Sequence, residues 1–296
     1  MTNELKHLHD FYFGEKLDLV RREPHGRFRH PYLCPGGGYT GTMWDWDGYF
    51  LGVGLSGAET GWAPYLAGTA LNFIELREPD GYSPYVHNTD TAESHPTKLR
   101  RQGVALNPVK PVLAQMLAVA AGEAGENFCD EAAFAGLRDI LAFWDRHQRH
   151  RSGLYVLRNH RGSGPDNDPC HYGRPENSAA PVLTNVLMAR EFAAMARLAD
   201  LLGLDEAERW REKAAAHREC INRLMWDEEA AWYFSQDVAY RSPHIGMPVK
   251  QDTDGWVMPL KIRTGSAVMA LWAGISGPDR ARAMIERYLA AATDMR

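Results

Sequence analysis

The sequence predicts an all-α protein of helical hairpins arranged as a toroid, with a site carried on long loops at one end. Three observations point there. Apolar residues recur at three- and four-residue spacing in segment after segment. Pairs of such segments are separated by very little chain. The connections between pairs are instead long, polar and rich in aromatic residues, and such connections are uncommon in a compact domain unless they serve a function. The alternative is an ordinary bundle or solenoid whose loops do nothing in particular.

The first hairpin is expected to pair residues 45–57, opening in "MWDWDGYF", with 62–76. A second pairs 110–122 with 131–148, where Phe134, Leu137, Leu141 and Trp144 follow a 3-4-3 spacing. The third pairs 178–203 with 205–226. Phe192, Met195, Ala199 and Leu202 mark its first helix, and Trp210, Ala214, His217, Ile221 and Leu224 its second. Asn177 and Ser178 ahead of Pro181 predict where the first of these starts, and Gly203 predicts where it stops. Asp205 then caps its partner after almost no loop, so the two helices must run antiparallel. A fourth hairpin is expected at 265–274 with 278–291. The connections 77–108, 149–177 and 227–264 read as helix-free, with a small β-hairpin in "AAWYFSQD" at 230–237.

Composition narrows the function. The net charge of −5, with both signs mixed along the chain, offers no basic stripe for nucleic acid. Residues 1–24 lack the apolar core of an export signal, and no stretch approaches the ~18 apolar residues of a membrane span. The expectation is a cytoplasmic protein with no membrane partner. Cys34, Cys129, Cys170 and Cys220 have no C-x-x-C spacing and read as free thiols rather than a zinc or disulfide framework. No phosphate-binding loop, dinucleotide fingerprint, H-E-x-x-H or G-x-S-x-G motif is present, so no cofactor or metal is expected. Among the nine tryptophans, Trp144, Trp210 and Trp226 read as core. Trp44 and Trp46 alternate with Asp45 and Asp47, a mixture that a wholly buried segment would not tolerate cheaply.

The stretch "SGPDNDPCHYGRPENS", residues 163–178, interrupts the helical pattern. Gly162, Gly164 and Pro165 force irregular backbone ahead of Asp166, and Pro169 prevents a helix just after it. Asp166 therefore sits on a loop. Asn167 brings amide donors and an acceptor beside it, and Arg174 can pair with a carboxylate or a sugar hydroxyl. Asp-Asn-Asp runs also build turns and calcium loops, but the spacing of an EF-hand is absent. A fixed Asp with Trp-Asp pairs and no cofactor motif fits carbohydrate chemistry. Sugar rings lay their C–H faces on indoles, and their hydroxyls take hydrogen bonds from Asp, Asn and Arg. Glycosidic cleavage needs a carboxyl group that keeps its proton near neutral pH, and burial or a neighbouring carboxylate favours that form.

"GTMWDWDGYFLGVGL", "NPVKPVLAQ", "SGLYVLRNHRGSGPDNDPCHYGRPENSAAPVLTNVLMARE" and "MALWAGIS" together resemble the six-hairpin glycosidases of the trehalase and glycoside hydrolase family 63 group. Trehalase-like and mannosylglycerate-hydrolase-like members are the most similar. The likeness runs from about residue 30, leaving 1–30 as an N-terminal segment and 31–296 as the catalytic domain. It implies an (α/α)6 barrel and hydrolysis of an α-linked glucoside or mannoside with inversion. On the matching motifs, Asp166 takes the place of the general acid. Trp46 and Asp47, with Trp44 nearby, match the residues that hold the sugar in the cleaved subsite. Gln115, Asn167 and Arg174 fall where the family lines its pocket. Tyr39 and Tyr85 read as rim residues.

Inversion also needs a second carboxylate as base, which the family places in a late Trp-rich segment that this sequence lacks. About eight of twelve helices are accounted for, so the resemblance implies an incomplete barrel with its base outside this chain. Self-association, or a second chain that completes the ring, follows as an expectation. Asp252 and Asp254 are substitute candidates for the base, though loop capping explains them too. Three readings result: a glycosidase, a binding remnant that grips a sugar or small glycoside without cutting it, or a sugar epimerase on the same barrel. The last needs paired histidines, and His160, His171 and His244 form no pair in sequence.

Overall fold

The computed structural model describes residues 4, 6–7, 17–56, 61–104, 106–239 and 257–290. The candidates Asp252, Asp254 and His244 lie outside the described residues. The chain divides into two compact units, residues 1–143 with 194–208, and residues 144–193 with 209–296.

In the first unit, helix α1 (Asp45–Leu55) and helix α2 (Ala63–Glu75) form the first hairpin at the expected place. Pro64 opens α2, where its missing N–H costs nothing. The helix buries Leu66, Ala67, Ala70, Phe73 and Ile74 and approaches the preceding backbone closely. At Gly68 a Cβ would overlap the carbonyl oxygen of Pro31 and crowd the His30 side chain, so only glycine fits. Two short ladders flank the pair: β1 (Arg21–Arg22) with β2 (Tyr32–Leu33), and β3 (Thr42–Trp44) with β4 (Val86–Asn88).

The connection 77–108 contains a helix that periodicity did not predict, α3 (His95–Arg101). Seven residues are too few to show a hydrophobic stripe. Its signal is local: the Ser94 hydroxyl accepts the Thr97 N–H at 3.2 Å, with Pro96 in the first turn.

Helix α4 (Leu113–Ala124) is buried from Leu113 through Ala118 and again at Ala120 and Ala121, and ends on Gly125 in the left-handed region. Its partner α5 (Glu131–His147) starts where the Asp130 carboxylate accepts the Ala133 N–H at 2.7 Å. It is amphipathic, burying Phe134, Leu137, Ile140, Leu141 and Trp144 while Arg138 and Asp139 face water. The third hairpin repeats this division. Helix α6 (Val182–Leu202) is buried along most of its length, and helix α7 (Ala207–Leu224) is polar except on one stripe. Gly203 (φ 67°) and the bond from Leu204 N to Ala199 O end α6 in a Schellman turn, as expected. A mostly buried helix beside one with a single apolar stripe is the division expected when the first of the pair lies inward of the second.

The start of α6 differs from the expectation. Asn177 adopts φ 57°, Ala179–Ala180 form a strand (β5), and the helix begins only after Pro181. In the second unit β6 (Trp226–Asp227) pairs with β7 (Trp232–Tyr233), while β8 (Gln236–Asp237) lies between β5 and β9 (Met258–Pro259). The predicted aromatic strand therefore exists, but it folds back on residues before it rather than on 236–237. Trp226 is only half-buried, unlike Trp144 and Trp210, because it rides on this small hairpin with the Arg280 guanidinium 5.1 Å from its ring. The last expected hairpin consists of short pieces, Gly265–Val268 running into α8 (Met269–Trp272), then α9 (Gly277–Met284) and a π-helical turn to Ala290. Leu154, Val156, Val186, Ile221, Tyr233 and Ala270 belong to the apolar core of this unit. Each large apolar side chain of this kind contributes about 1.5–3 kcal/mol on burial.

Candidate active site

Trp44, Trp46 and Asp47 stand together where β3 becomes α1. The Asp45 N–H donates to Tyr85 O at 3.1 Å, which pins the turn from strand to helix. The Asp45 side chain is fully buried and accepts three donors: Trp46 N at 2.6 Å, Lys110 N at 2.7 Å and Lys110 Nζ at 2.9 Å. Removing one member of such a buried pair leaves an uncompensated charge and costs roughly 3–5 kcal/mol. An ion pair was not anticipated here. A lysine between Val109 and Pro111 in an apolar stretch is the available signal, because a buried ammonium must have a partner.

Of the two Asp residues in the Trp-Asp alternation, Asp45 is thus structural and Asp47 is half-exposed. Trp44 donates its indole N–H to Thr42 Oγ1 at 2.9 Å and lies between the rings of Tyr39 and Tyr85, each 6.1 Å away between centroids. Trp46 packs on Phe50 at 4.5 Å. All of Tyr39, Trp44, Trp46 and Tyr85 keep part of their surface in water. Gln115 is buried in the first turn of α4. Its carbonyl accepts the Tyr49 hydroxyl at 2.7 Å and its amide donates to Pro111 O at 2.7 Å, so it braces α1 against α4.

Asp166, Asn167 and Arg174 belong to the second unit. Asp166 and Asn167 are exposed at the tip of the 163–178 loop. The buried member of the Asp-Asn-Asp run is Asp168. Its Oδ1 accepts Cys170 N at 2.8 Å and its Oδ2 accepts the Ser266 hydroxyl at 2.9 Å. Its backbone N–H donates to Pro165 O at 3.0 Å, and its own carbonyl accepts the His171 and Tyr172 N–H groups. Asp168 anchors the loop and so presents Asp166 to solvent. Arg174 forms an ion pair with Asp237 on β8. Burial pushes the Cys170 thiol up to about 12, so it carries no nucleophile at neutral pH. Burial also holds His171 below the usual imidazole range, although Asp168 pulls the other way. Among the described residues no group of three or more His, Cys, Asp or Glu side chains is placed to hold a metal, and no helix is long and apolar enough to cross a membrane.

The model of the mannosylglycerate hydrolase MGH1-like glycoside hydrolase domain matches residues 40–294. The chain belongs to this glycoside hydrolase family. The MGH1-like domain thus takes in both Asp47 and Asp166. No curated protein matches the chain. Solved structures agree on the fold. An uncharacterized conserved protein from Thermus thermophilus is 19% identical, with a TM-score of 0.64 over 92% of this chain and 74% of that one. The glycoside hydrolase family 63 mannosylglycerate hydrolase of the same organism, in complex with glucose, is 18% identical, with a TM-score of 0.63 over 91% and 75%. Neutral trehalase of Saccharomyces cerevisiae is 15% identical, with a TM-score of 0.54 over 92% of this chain and 58% of its own. The fold is therefore that of the six-hairpin glycosidases, of which this MGH1-like chain carries a part.

Proposed function

We propose that the chain serves the inverting hydrolysis of an α-linked glucoside or mannoside, with Asp166 as general acid and the general base supplied from outside this chain. In this reading Asp166 gives its proton to the glycosidic oxygen as the bond to C1 breaks. A water attacks C1 from the opposite face and passes its proton to a carboxylate base that this chain does not itself supply, so the sugar leaves with inverted configuration. Trp44 and Trp46 hold the apolar face of the sugar, Asp47 takes its hydroxyls, and Asn167 contributes polar contacts beside the acid. Gln115 and Arg174 support the site by bracing rather than by touching substrate. The observation that supports the reading is access: Asp166 is exposed, where a glycosidic oxygen can reach it, though without the burial expected of a proton donor, while Asp168, two residues on, is buried and held by Cys170 and Ser266.

The test is turnover of aryl α-glucosides and α-mannosides by the purified chain and by Asp166→Asn, with the anomer of the product followed by NMR. Loss of turnover in the variant at unchanged melting temperature supports the acid role, and a product of retained configuration contradicts inversion. Sugar binding without turnover in the unaltered chain would favour the second reading, a chain that grips a glycoside and does not cut it.

A further inference from the structure

Lys110 ties the segment carrying Trp46 and Asp47 to the segment leading into Gln115. Its ammonium and its own backbone N–H both reach the Asp45 carboxylate, at 2.9 and 2.7 Å, and the ammonium lies 5.8 Å from the centroid of the Trp46 ring. Asp45 in turn accepts the Trp46 N–H at 2.6 Å. The segment around Lys110 is stiff and held elsewhere: Pro108 and Pro111 flank it, Pro108 bridges to Pro84, and Val109 N donates to Ser83 O at 2.6 Å. The stretches 44–47 and 108–115 therefore meet on one buried ion pair, and 83–86 is tied to both by the backbone bonds Asp45 N to Tyr85 O and Val109 N to Ser83 O. Both partners are shielded from water, so the pair is weakly screened and its geometry is confined.

We propose that Lys110 is a positioning residue for sugar binding, holding Trp46 and Asp47 in register through Asp45. This rests on the reading that Trp46 and Asp47 hold the sugar. An ammonium lying straight against a substrate would serve an acidic ligand. Buried against Asp45, this one acts only through the side chains next to it. A sugar subsite requires its groups to be held within about 0.5 Å, and a supporting side chain that keeps them there affects binding without contacting the ligand.

The experiment titrates D-glucose and D-mannose into the full chain by calorimetry, with Lys110→Met, Lys110→Arg and Trp46→Ala compared. Lys110→Met is expected to weaken binding of whichever sugar binds by on the order of tenfold, and Lys110→Arg to restore most of it by keeping a cation against Asp45. Arg77→Met, which breaks the 2.8 Å pair with Asp139 elsewhere in the same unit, serves as a control that lowers stability and leaves sugar affinity alone. Should Lys110→Met fail to fold, the double variant Asp45→Asn, Lys110→Met leaves no lone charge and is expected to show the same loss. Native affinity in the Lys110 variants alongside lost affinity in Trp46→Ala overturns this proposal and leaves the sugar-holding reading intact. Native affinity in Trp46→Ala overturns both.

Discussion

The hydroxyl of Ser266 donates to the carboxylate of Asp168 at 2.9 Å, joining residues 98 positions apart. The bond fastens the loop that carries Asp166 to the short helical segment at Gly265–Val268. It accounts for the burial of one acid in the Asp-Asn-Asp run and the exposure of another.

Ser266→Ala leaves one buried oxygen of Asp168 without this donor. The expected loss is about 1–3 kcal/mol of stability, read from urea unfolding. If the loop positions Asp166 for chemistry, turnover falls with it, and a variant of native stability would show that the bond carries little.

Buried histidines contribute to the acid sensitivity of the fold. Burial pushes His87 down to about 3 and His217 down to about 4. In the unfolded chain both titrate near ~6.5. Between those values the unfolded state binds protons that the folded state refuses, so stability falls as pH drops below about 6.5. Each contributes a slope of roughly 1.4 kcal/mol per pH unit until its folded value is reached. His87 sits between the rings of Phe28 and Phe73, with neither ring nitrogen paired among the described residues. His87→Phe is therefore expected to flatten the stability profile between about pH 6 and 4. An unchanged slope would contradict the assignment.

Gly68→Ala forces a methyl group into the Pro31 carbonyl on a helix that cannot shift without disturbing its buried side chains. Overpacking of this kind costs about 1–3 kcal/mol. Differential scanning calorimetry should show a melting temperature lowered by several degrees. An unaltered one would mean that the helix can move away.

Asp47→Ala removes a half-exposed carboxylate from the first turn of α1. Sugar affinity is expected to fall by roughly tenfold, the worth of a charge-assisted hydrogen bond. Affinity indistinguishable from that of the native chain would remove Asp47 from the site.

The hairpins were legible because helical periodicity extends over many residues, and Phe134, Leu137, Leu141 and Trp144 all report the same face. Chain reversal at Gly203 was legible because a left-handed C-cap has a residue preference of its own. Short elements were not. The helix at His95–Arg101 and the strand at Ala179–Ala180 are decided by a cap and by partners far along the chain. The same holds for the candidate site. Glycine and proline around Asp166 predicted a loop, and the loop is there. Nothing near Lys110, Asp168 or Arg174 names Asp45, Ser266 or Asp237 as the partner, because such pairings depend on the tertiary fold. Alternation of Trp with Asp at 44–47 indicated partial exposure, but it could not say which Asp would be buried.

Release of reducing sugar from trehalose and a panel of α-glucosides and α-mannosides, by the unaltered chain and by Asp166→Asn, tests the central claim most directly. With the base supplied from outside this chain, by a second copy or another chain, the account predicts that whatever α-glycoside turnover is seen is abolished by Asp166→Asn while sugar binding and melting temperature stay unchanged. Equal turnover by the two proteins would contradict it.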